Sequence, residues 1–311
     1  MKKRFLLLLL ALLCLTGCGQ RNPPPPEQQG AYTFEDDLGR TVTLDTPTRV
    51  AALTGSFADI WCLAGGGESL VAAAGDSWTS FGLPLSDAVT NLGGIKDPDV
   101  ERLFAAAPDL VLLSSNTAAQ LALLEPLEQA GLTVACFNVT NFPEYLRMLE
   151  VCTTLTGDAR AYERHGLALQ KEIDAARSRA DGSAPTVLYI RATGSSCKVK
   201  NSRDTVLGEM LSDLGCVNIA DSEDSLLEQL SLEQIIRSDP DYIFAVLQGA
   251  DSTAAQQTLE TTLLSNPAWQ SLTAVKEGRF HVLEHRLYNL KPNARWGEAY
   301  EKLANILYPA P

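Results

Sequence analysis

The chain has 311 residues, of which 38 are Asp or Glu and 25 are Lys or Arg, so its formal net charge is -13 at pH 7. Such an acidic chain is a poor candidate for binding nucleic acid or an anionic lipid surface. Its length is sufficient for two lobes, each with a core of its own.

Residues 1–17 have the pattern of an export signal. Basic residues 2–4 precede an apolar run at 5–15, which is too short to span a bilayer. The following tetrapeptide, Leu-Thr-Gly-Cys, ends at Cys18 and resembles the bacterial lipoprotein box. That resemblance implies a lipidated Cys18 at the start of the mature protein; a plain secretory signal with a chance cysteine is the alternative.

Residues 18–30 include four consecutive prolines at 23–26, which favours an extended tether between the lipid and the folded part. Beyond Cys18 the cysteines are odd in number and have no C-x-x-C spacing, so neither a disulfide framework nor a zinc site is expected. They are predicted to be small buried side chains. These cysteines are Cys62, Cys136, Cys152, Cys197 and Cys216.

The folded part is predicted to begin at residue 32. Residues 32–34 and 40–44 have the pattern of a β-hairpin with a turn at 36–39. Short apolar runs then alternate with helical stretches, which is typical of α/β lobes built on parallel sheets. We predict strands near 49–53, 70–74, 109–113, 132–136, 186–191, 241–246 and 279–284, and helices near 56–64, 99–106, 117–130, 143–156, 204–213, 231–237, 251–264 and 294–307.

One long helix is predicted at 158–182, between two similar halves of the chain. Apolar residues recur along it at spacings of three and four, among them Leu169, Ile173 and Ala176. We therefore expect an N-terminal α/β lobe at 31–157, a connecting helix, and a C-terminal α/β lobe at 183–311. A surface helix of a single domain is the alternative.

A repeated unit supports two related lobes. In each copy a capping residue is followed two positions later by a glutamate, and then by Pro-Asp and an apolar strand. Glu101 precedes Pro108 by seven residues, and Glu233 precedes Pro240 by the same number. Acidic residues in a first turn are stabilised by the helix dipole, which explains each glutamate separately but not their common spacing.

With these units the chain resembles the substrate-binding lipoproteins of bacterial ABC importers for iron-siderophores, haem and cobalamin, the class III periplasmic binding proteins. The resemblance extends from about Phe34 to Pro309, and the order and spacing of its motifs are more specific than any single one. The motifs are Asp-Leu-Gly-Arg-Thr-Val-Thr-Leu from residue 37, Asn-Leu-Gly-Gly from 91, both Glu/Pro-Asp units, Leu-Ser-Asp-Leu-Gly-Cys-Val-Asn-Ile-Ala from 211, Asn-Pro-Ala-Trp from 266 and Ala-Val-Lys-Glu-Gly-Arg from 274.

The resemblance implies two α/β lobes joined by one long helix, with a ligand cleft between the lobes. It implies that Glu101 and Glu233 dock onto arginines of a permease dimer, which works with a cytoplasmic ATPase. The protein is then a lipid-anchored receptor on the outer face of the cell membrane that delivers a metal chelate to the importer. A lipid-anchored sensor or scavenger without a transporter is the alternative function.

An enzyme is not expected. His281 and His285 form an H-x-x-E-H pattern, as in one zinc peptidase group, but the segment is predicted to be a strand. Histidines four apart on a strand are roughly 13 Å apart and cannot share one metal ion. The chain also lacks G-x-S-x-G, Walker and G-x-G-x-x-G sequences. No catalytic residue, resident metal or cofactor is therefore predicted.

Ligands of open parallel sheets bind outside the carboxyl ends of the strands, so residues following the predicted strands are the binding candidates. Several are cationic, which suggests an anionic ligand; the alternative is that these loop residues are only solvated. Asn293 is expected to cap the last helix. Trp296 is expected to pack that helix onto the second lobe, and the alternative is that it lines the cleft. The ligand-binding candidates are Ser56, Phe57, Trp78 and Asn116 in the first lobe and Arg191, Gln248, Arg286 and Tyr288 in the second, with Lys198, Lys200, Arg203 and His285 as further cationic candidates.

Overall fold

The structure is a computed structural model that describes residues 30–203, 205–222, 226–227, 230–249 and 252–309. The predicted export signal, Cys18 and the four prolines lie outside these residues. Within them, none of the helices combines the length and the apolar character needed to cross a membrane.

The first lobe is built on a five-stranded parallel sheet. Its strands lie side by side in the order Thr90–Asn91, Leu70–Ala73, Val50–Ala52, Leu110–Ser114 and Thr133–Phe137. Every residue of its strand Leu110–Ser114 is buried, because helices cover both faces of such a sheet, and this explains the continuous apolar run. The strands here are β1 (Tyr32–Glu35), β2 (Thr41–Leu44), β3 (Val50–Ala52), β4 (Leu70–Ala73), β5 (Thr90–Asn91), β6 (Gly93–Gly94), β7 (Asp97–Pro98), β8 (Leu110–Ser114) and β9 (Thr133–Phe137).

The predicted hairpin is confirmed, since β1 and β2 pair antiparallel. Its turn is fastened to β9: the Asp37 amide donates to the carbonyl of Cys136, and the Cys136 amide donates to the carboxylate of Asp36. The helices of this lobe are α1 (Gly55–Leu63), α2 (Asp76–Thr79), α3 (Val100–Ala105), α4 (Ala118–Leu121), α5 (Leu124–Gln129) and α6 (Phe142–Thr156). The helix predicted at 117–130 is therefore two shorter helices.

The second lobe has a five-stranded mixed sheet. Four strands lie side by side in the order Cys197–Lys200, Thr186–Ala192, Tyr242–Leu247 and Phe280–Leu283, and Val217–Asn218 lies beside the start of Thr186–Ala192. Only Cys197–Lys200 runs antiparallel to its neighbour. The strands are β10 (Thr186–Ala192), β11 (Cys197–Lys200), β12 (Val217–Asn218), β13 (Tyr242–Leu247) and β14 (Phe280–Leu283), and the helices are α9 (Val206–Asp213), α10 (Leu232–Ser238), α11 (Ser252–Leu259), α12 (Thr273–Lys276), α13 (His285–Tyr288) and α14 (Trp296–Leu307). The predicted strands are confirmed to within one or two residues, whereas β11 was not predicted.

The connecting helix runs from Ala159 to Arg177 as α7 (Ala159–Tyr162), a π-helical turn (Glu163–Leu167) and α8 (Ala168–Arg177). It is shorter than predicted, because the helix ends at Arg177 and a turn follows at Ser178 and Arg179. The Tyr145 hydroxyl donates a hydrogen bond to the carbonyl of His165, 2.9 Å away, within the π-helical turn. Such turns disturb the regular backbone pairing of a helix, so this contact stabilises the irregular segment.

The predicted apolar stripe is confirmed, since Leu169, Ile173 and Ala176 are buried. The stripe packs against α14, and the two helices approach closely at Gly297. A Cβ atom at Gly297 would lie 2.8 Å from Cβ of Glu172, which is below any normal contact. Glycine at 297 therefore allows the last helix to lie against the connecting helix.

One apolar core runs through both lobes. It contains Phe57, Phe137 and Leu149 from the first lobe, Ile173 from the connecting helix, and Tyr189 from the second sheet. Two smaller cores fill the remaining faces of the two sheets. The facing sides of the lobes are therefore joined by packed side chains as well as by the connecting helix.

The internal repeat is also present in the backbone. Ala107 and Asp239 lie six residues after the paired glutamates, and both have positive φ angles, 44° and 39°. Two residues later, the carboxylate of Asp109 accepts hydrogen bonds from the amides of Thr48 and Arg49. Asp241 accepts one from the amide of Thr186. Each Pro-Asp unit thus ties the start of one strand to the start of its parallel neighbour.

Candidate functional site

The carboxyl ends of the two sheets face each other. Arg286 follows β14 in the second lobe, and its Nη2 atom lies 3.2 Å from Oδ2 of Asp59 on α1, which follows β3 in the first lobe. Arg286 also donates to the carbonyl of Lys291 at 2.6 Å and lies over the ring of Phe81 at 4.1 Å. This predicted ligand residue is therefore already held in a contact between the lobes.

Two predicted first-lobe residues lie under the cleft surface. Phe57 is fully buried, with its ring edge toward Phe137 at 6.3 Å between centroids. Ser56 is buried, and its carbonyl accepts a hydrogen bond from Asn293. Both follow a strand, as predicted, but they are in the first turn of α1, whose apolar side faces the core. In this structure they support the cleft and do not line it.

Trp78 and Asn116 lie where the sequence placed them, after β4 and β8. Trp78 is partly exposed and packs on one side against the core. Asn116 is exposed, and its amide donates to the side-chain oxygen of Asn138, which follows β9. These residues form a polar and aromatic rim at the carboxyl end of the first sheet.

Strand register brings the second-lobe candidates together. Arg191 on β10 is directly opposite Lys198 on β11, and Tyr189 is opposite Lys200. Opposite residues of antiparallel strands, and residues two apart on one strand, share a face of the sheet, so all four share one face. Tyr189 is buried, and its hydroxyl accepts a hydrogen bond from Nη2 of Arg191 at 3.1 Å, which orients the guanidinium.

The same face continues across the parallel strands. Val246 is paired with both Arg191 and Leu283. Two residues further on, Gln248 and His285 follow β13 and β14 at the same edge. The Nδ1 atom of His285 is 2.7 Å from the carbonyl of Leu247, which fixes the ring at the end of the sheet.

The cationic neighbours shift the pKa values of Lys200 and His285. Burial lowers the pKa of Lys200, and the charges of Arg191 and Lys198 lower it further. Burial also lowers the pKa of His285, followed by the charges of Arg191 and Arg286. In the described part of the chain, Arg191, Lys198 and Lys200 form no ion pair with a carboxylate. We call Arg191, Lys198 and Lys200 the cationic face, and His285 lies at its edge; Arg203 is exposed and not part of it.

Tyr288 does not belong to the cleft surface. It is almost completely buried, and its hydroxyl donates to the carbonyl of Ala299 at 3.0 Å. The residue lies in α13, so its position after β14 did not determine the direction of its ring. The structure gives Tyr288 a packing role between α13 and the last helix.

Asn293 and Trp296, at the start of the last helix, both contact residues of the first lobe. Asn293 is fully buried and donates through Nδ2 to Asp59 at 2.8 Å and to the carbonyl of Ser56 at 3.0 Å. The predicted cap is wrong, because no side chain caps α14. Trp296 packs against Phe142 of the first lobe, with 6.0 Å between centroids, where the sequence suggested packing onto the second lobe. No local pattern signals either contact.

Glu101 and Glu233 occupy equivalent exposed positions. Each is the second residue of its helix, α3 or α10, behind a side-chain cap formed by Asp99 or Ser231. Neither glutamate forms an ion pair with another described residue. Two matching exposed carboxylates, one in each lobe, are thus available to a partner.

His281 and His285, the two histidines of the H-x-x-E-H pattern, lie in different elements. His281 lies in β14, as predicted, and stacks on Phe244 with 5.7 Å between ring centroids. Among the described residues, no group of three or more His, Cys, Asp or Glu side chains is arranged to hold a metal ion. His285 does not lie in the strand where the sequence predicted it, because β14 ends at Leu283 and His285 is the first residue of α13.

A groove of about 720 Å³ lies near the amino ends of β3 and β4, where it is lined by Arg49, Leu70 and Leu83 among others. None of the predicted ligand residues borders it. Because ligands of open parallel sheets bind at the carboxyl ends of the strands, the cleft between the lobes remains the candidate site.

Comparisons with known proteins agree with this architecture. The "Periplasmic binding protein" family model matches residues 50–287. The iron-uptake system-binding protein of Bacillus subtilis (strain 168) is 25% identical, with 97% of this chain and 96% of that protein covered. The Fe(3+)-citrate-binding protein YfmC of the same organism is 26% identical, over 88% of this chain and 86% of its own.

The fold is shared with solved structures. The periplasmic haem-binding protein RhuT from Roseiflexus sp. RS-1 superposes with a TM-score of 0.66 at 22% identity, covering 84% of this chain and 97% of that one. The family model covers most of the chain, from β3 through α13. This protein therefore belongs to the periplasmic binding protein family.

Proposed function

We propose that this protein is the substrate-binding lipoprotein of an ABC importer and captures a metal chelate of the iron-siderophore, haem or cobalamin type that carries an anionic group. The single observation that carries the ligand class is the cationic face. It sets unpaired positive charge at the carboxyl end of one sheet in a chain whose net charge is -13.

The charge of the cleft supports an anionic ligand. Burying a cation without a partner is costly, and the lowered pKa of Lys200 reflects both that burial and the neighbouring charges of Arg191 and Lys198. A ligand that brings carboxylates or a negative chelate charge relieves this repulsion. Guanidinium groups also bind carboxylates through two parallel hydrogen bonds, and the hydroxyl of Tyr189 orients Arg191 for such a contact.

The first lobe supplies complementary contacts. Trp78 offers a flat apolar surface to a ring system or an aliphatic arm, and Asn116 offers an amide at the rim. Gln248 lies beside the cationic face in the second lobe. The names of the relatives support a metal chelate as ligand: one protein is named for iron uptake and another for ferric citrate.

Delivery requires a partner. We assign Glu101 and Glu233 as the two residues that dock onto arginines of the permease dimer, whose cytoplasmic ATPase supplies the energy. Their equivalent, exposed positions on repeated helices support this assignment. A permease dimer has two equivalent subunits and therefore two equivalent docking sites. One carboxylate in each lobe of this protein can bind each of those sites.

The anchor and the domain limits belong to the same proposal. Residues 1–17 are the signal peptide, Cys18 carries the lipid, and 18–30 form the tether that holds the receptor at the outer face of the cell membrane. The lobes are 31–157 and 183–311, and 158–182 is the connector. The lipoprotein box and the proline run support the anchor.

The test is a fluorescence and absorption titration of the chain from residue 19 onward, which keeps every residue that the structure describes. Ferric citrate, haemin, a ferric catecholate, a ferric hydroxamate and cobalamin are compared at equal concentrations. We expect saturable binding of an anionic chelate at one ligand per chain. Binding of none of them contradicts the proposed ligand class and favours a sensor with a different ligand.

A further inference from the structure

We propose that His285 is a ligand-binding residue of the second lobe and takes up a proton when an anionic chelate enters the cleft. This inference rests on the proposed function, because it requires a negatively charged ligand beside the cationic face. It adds a specificity-determining residue and a proton that is bound together with the ligand.

The hydrogen bonds of His285 determine which ring nitrogen is free. Its Nδ1 atom lies 2.7 Å from the carbonyl oxygen of Leu247. A carbonyl can only accept, so Nδ1 carries the hydrogen, and Nε2 of the neutral ring is an acceptor. No described residue forms a hydrogen bond with Nε2. The ring therefore presents one unused nitrogen at the edge of the cationic face.

Positive charges surround this ring. Arg191 faces it from β10 and Arg286 is the next residue in the chain; after burial, these two charges are the causes that keep the pKa of His285 below its usual value. Lys198 lies opposite Arg191 on β11 and Lys200 lies two residues further on. Without ligand, the imidazole is therefore neutral near pH 7.

No carboxylate is among the groups that shift the pKa of His285, and two carboxylates in this region already pair with other cations. Asp59 is paired with Arg286 at 3.2 Å. Glu284 precedes His285, but it is paired with Arg295 at 3.0 Å and Lys302 at 3.4 Å. A negative charge that acts on Nε2 must therefore come from the ligand.

An anionic chelate in the cleft favours protonation of one atom, Nε2 of His285. Its carboxylates or charged oxygens neutralise Arg191, one of the two charges that disfavour the imidazolium, and offer the imidazolium a negatively charged partner. A proton from solvent then binds Nε2, and Nε2–H donates to a ligand oxygen. No other bond is made or broken, and the charged hydrogen bond is stronger than a neutral one.

The linkage has a definite sign. Because the bound state holds the extra proton, binding becomes tighter as pH falls through the pKa of His285 in the complex. The gain ends below its pKa in the free protein. Each unit by which the ligand raises this pKa corresponds to about a tenfold gain in affinity at low pH. A neutral ligand produces no such gain.

Calorimetry of ferric citrate binding tests this directly, in buffers that differ in ionisation enthalpy. Wild type, His285→Asn and His281→Asn are compared from residue 19 onward. Asparagine at 285 can still donate to Leu247 but cannot titrate, and His281 is a matched control because it stacks on Phe244. Protons released or bound by the ligand itself are common to all three and cancel.

We expect wild type and His281→Asn to take up more protons per ligand than His285→Asn at pH 6.5, by up to about one proton. The affinity ratio of wild type to His285→Asn should rise by up to about tenfold per pH unit on acidification. Equal proton uptake by all three, with binding intact, overturns the role of His285 and leaves the proposed function standing. Binding of no anionic chelate removes both.

A second measurement does not depend on a variant. Proton NMR of the wild-type chain follows the ring protons of its three histidines during pH titration with and without gallium citrate, a diamagnetic substitute for ferric citrate. A rise of at least one pKa unit for His285 alone supports the proposal. An unchanged His285 titration in the saturated complex contradicts it.

Discussion

The side-chain amide of Asn293 lies 2.8 Å from the carboxylate of Asp59, and this contact ties the segment before the last helix to the first helix of the other lobe. Arg286 binds the same carboxylate. The lobes are thus joined by a polar contact in addition to the connecting helix. We expect the lobes to close only slightly when a ligand binds, because a large closure would break these contacts.

Replacing Asn293 should destabilise the fold in two separable ways. Asn293→Gly removes the hydrogen bonds to Asp59 and Ser56 and should lower the free energy of unfolding by about 1–3 kcal/mol. Asn293→Ala removes the same bonds and also forces a side chain into the left-handed region, at φ 55°, which costs at least ~1 kcal/mol more. Urea unfolding measures both values, and equal losses would exclude the backbone contribution.

The close approach of the last two helices predicts a cost at Gly297. Gly297→Ala places a methyl group against Glu172 and should lower the free energy of unfolding by about 1–3 kcal/mol. Shortening the neighbour in the double variant with Glu172→Ala should recover part of that loss, because the rest comes from the Cβ atom of residue 172. Denaturant titration of the two single variants and the double variant gives the coupling free energy between positions 297 and 172. A coupling of zero would mean that the two helices can move apart without cost.

Glu298 should make the free energy of unfolding depend on pH in the acidic range. Its hydrogen bonds with Arg295 and Lys302 lower the pKa of this carboxyl from 4.5 to about 2. The folded state therefore holds the charged form, so the stabilisation is present above pH 4.5 and is lost as pH falls toward 2. The effect is below about 1 kcal/mol, because the pair is partly exposed and screened by salt.

The measurement is the difference in unfolding free energy between wild type and Glu298→Gln at several pH values. The difference should shrink between pH 4.5 and pH 2 and should be smaller in high salt. A difference that is constant over that range would show that Glu298 acts through packing instead of charge.

Charge reversal tests the docking residues. The double variant Glu101→Lys and Glu233→Lys should lose ligand uptake in cells, because like charges then face the permease arginines, while ligand affinity in solution stays within twofold or so of wild type. Glu163→Lys reverses another exposed glutamate and serves as the control. Loss of ligand affinity in the double variant would contradict the docking assignment.

Much of the fold could be predicted from periodicity, because buried parallel strands are continuous apolar runs. Strands such as Leu110–Ser114 and Tyr242–Leu247 were located to within one or two residues for this reason. The strand Cys197–Lys200 was missed, since its two lysines resemble a loop. Its antiparallel pairing with Thr186–Ala192 is what places Lys198 beside Arg191.

Less of the site could be predicted. A position after a strand says where the backbone lies but not where the side chain points, so Phe57 and Tyr288 were assigned to a ligand although both pack in the core. Asn293 was assigned to a helix cap because only tertiary packing brings Asp59 to it. Strand register pairs Arg191 with Val246, two residues before Gln248, and the continuous apolar runs of these two strands do not specify that register.

The most direct test of the central claim removes charge from the cationic face without changing its size much. Ferric citrate affinity is measured by tryptophan fluorescence for wild type, for the double variant Arg191→Gln and Lys198→Gln, and for Lys171→Gln on the exposed side of the connecting helix. We predict that the double variant binds at least about 100-fold more weakly, since each of the two charged hydrogen bonds contributes about 1.5–3 kcal/mol, and that Lys171→Gln binds like wild type. Equal affinity in all three would show that the cationic face does not bind the ligand.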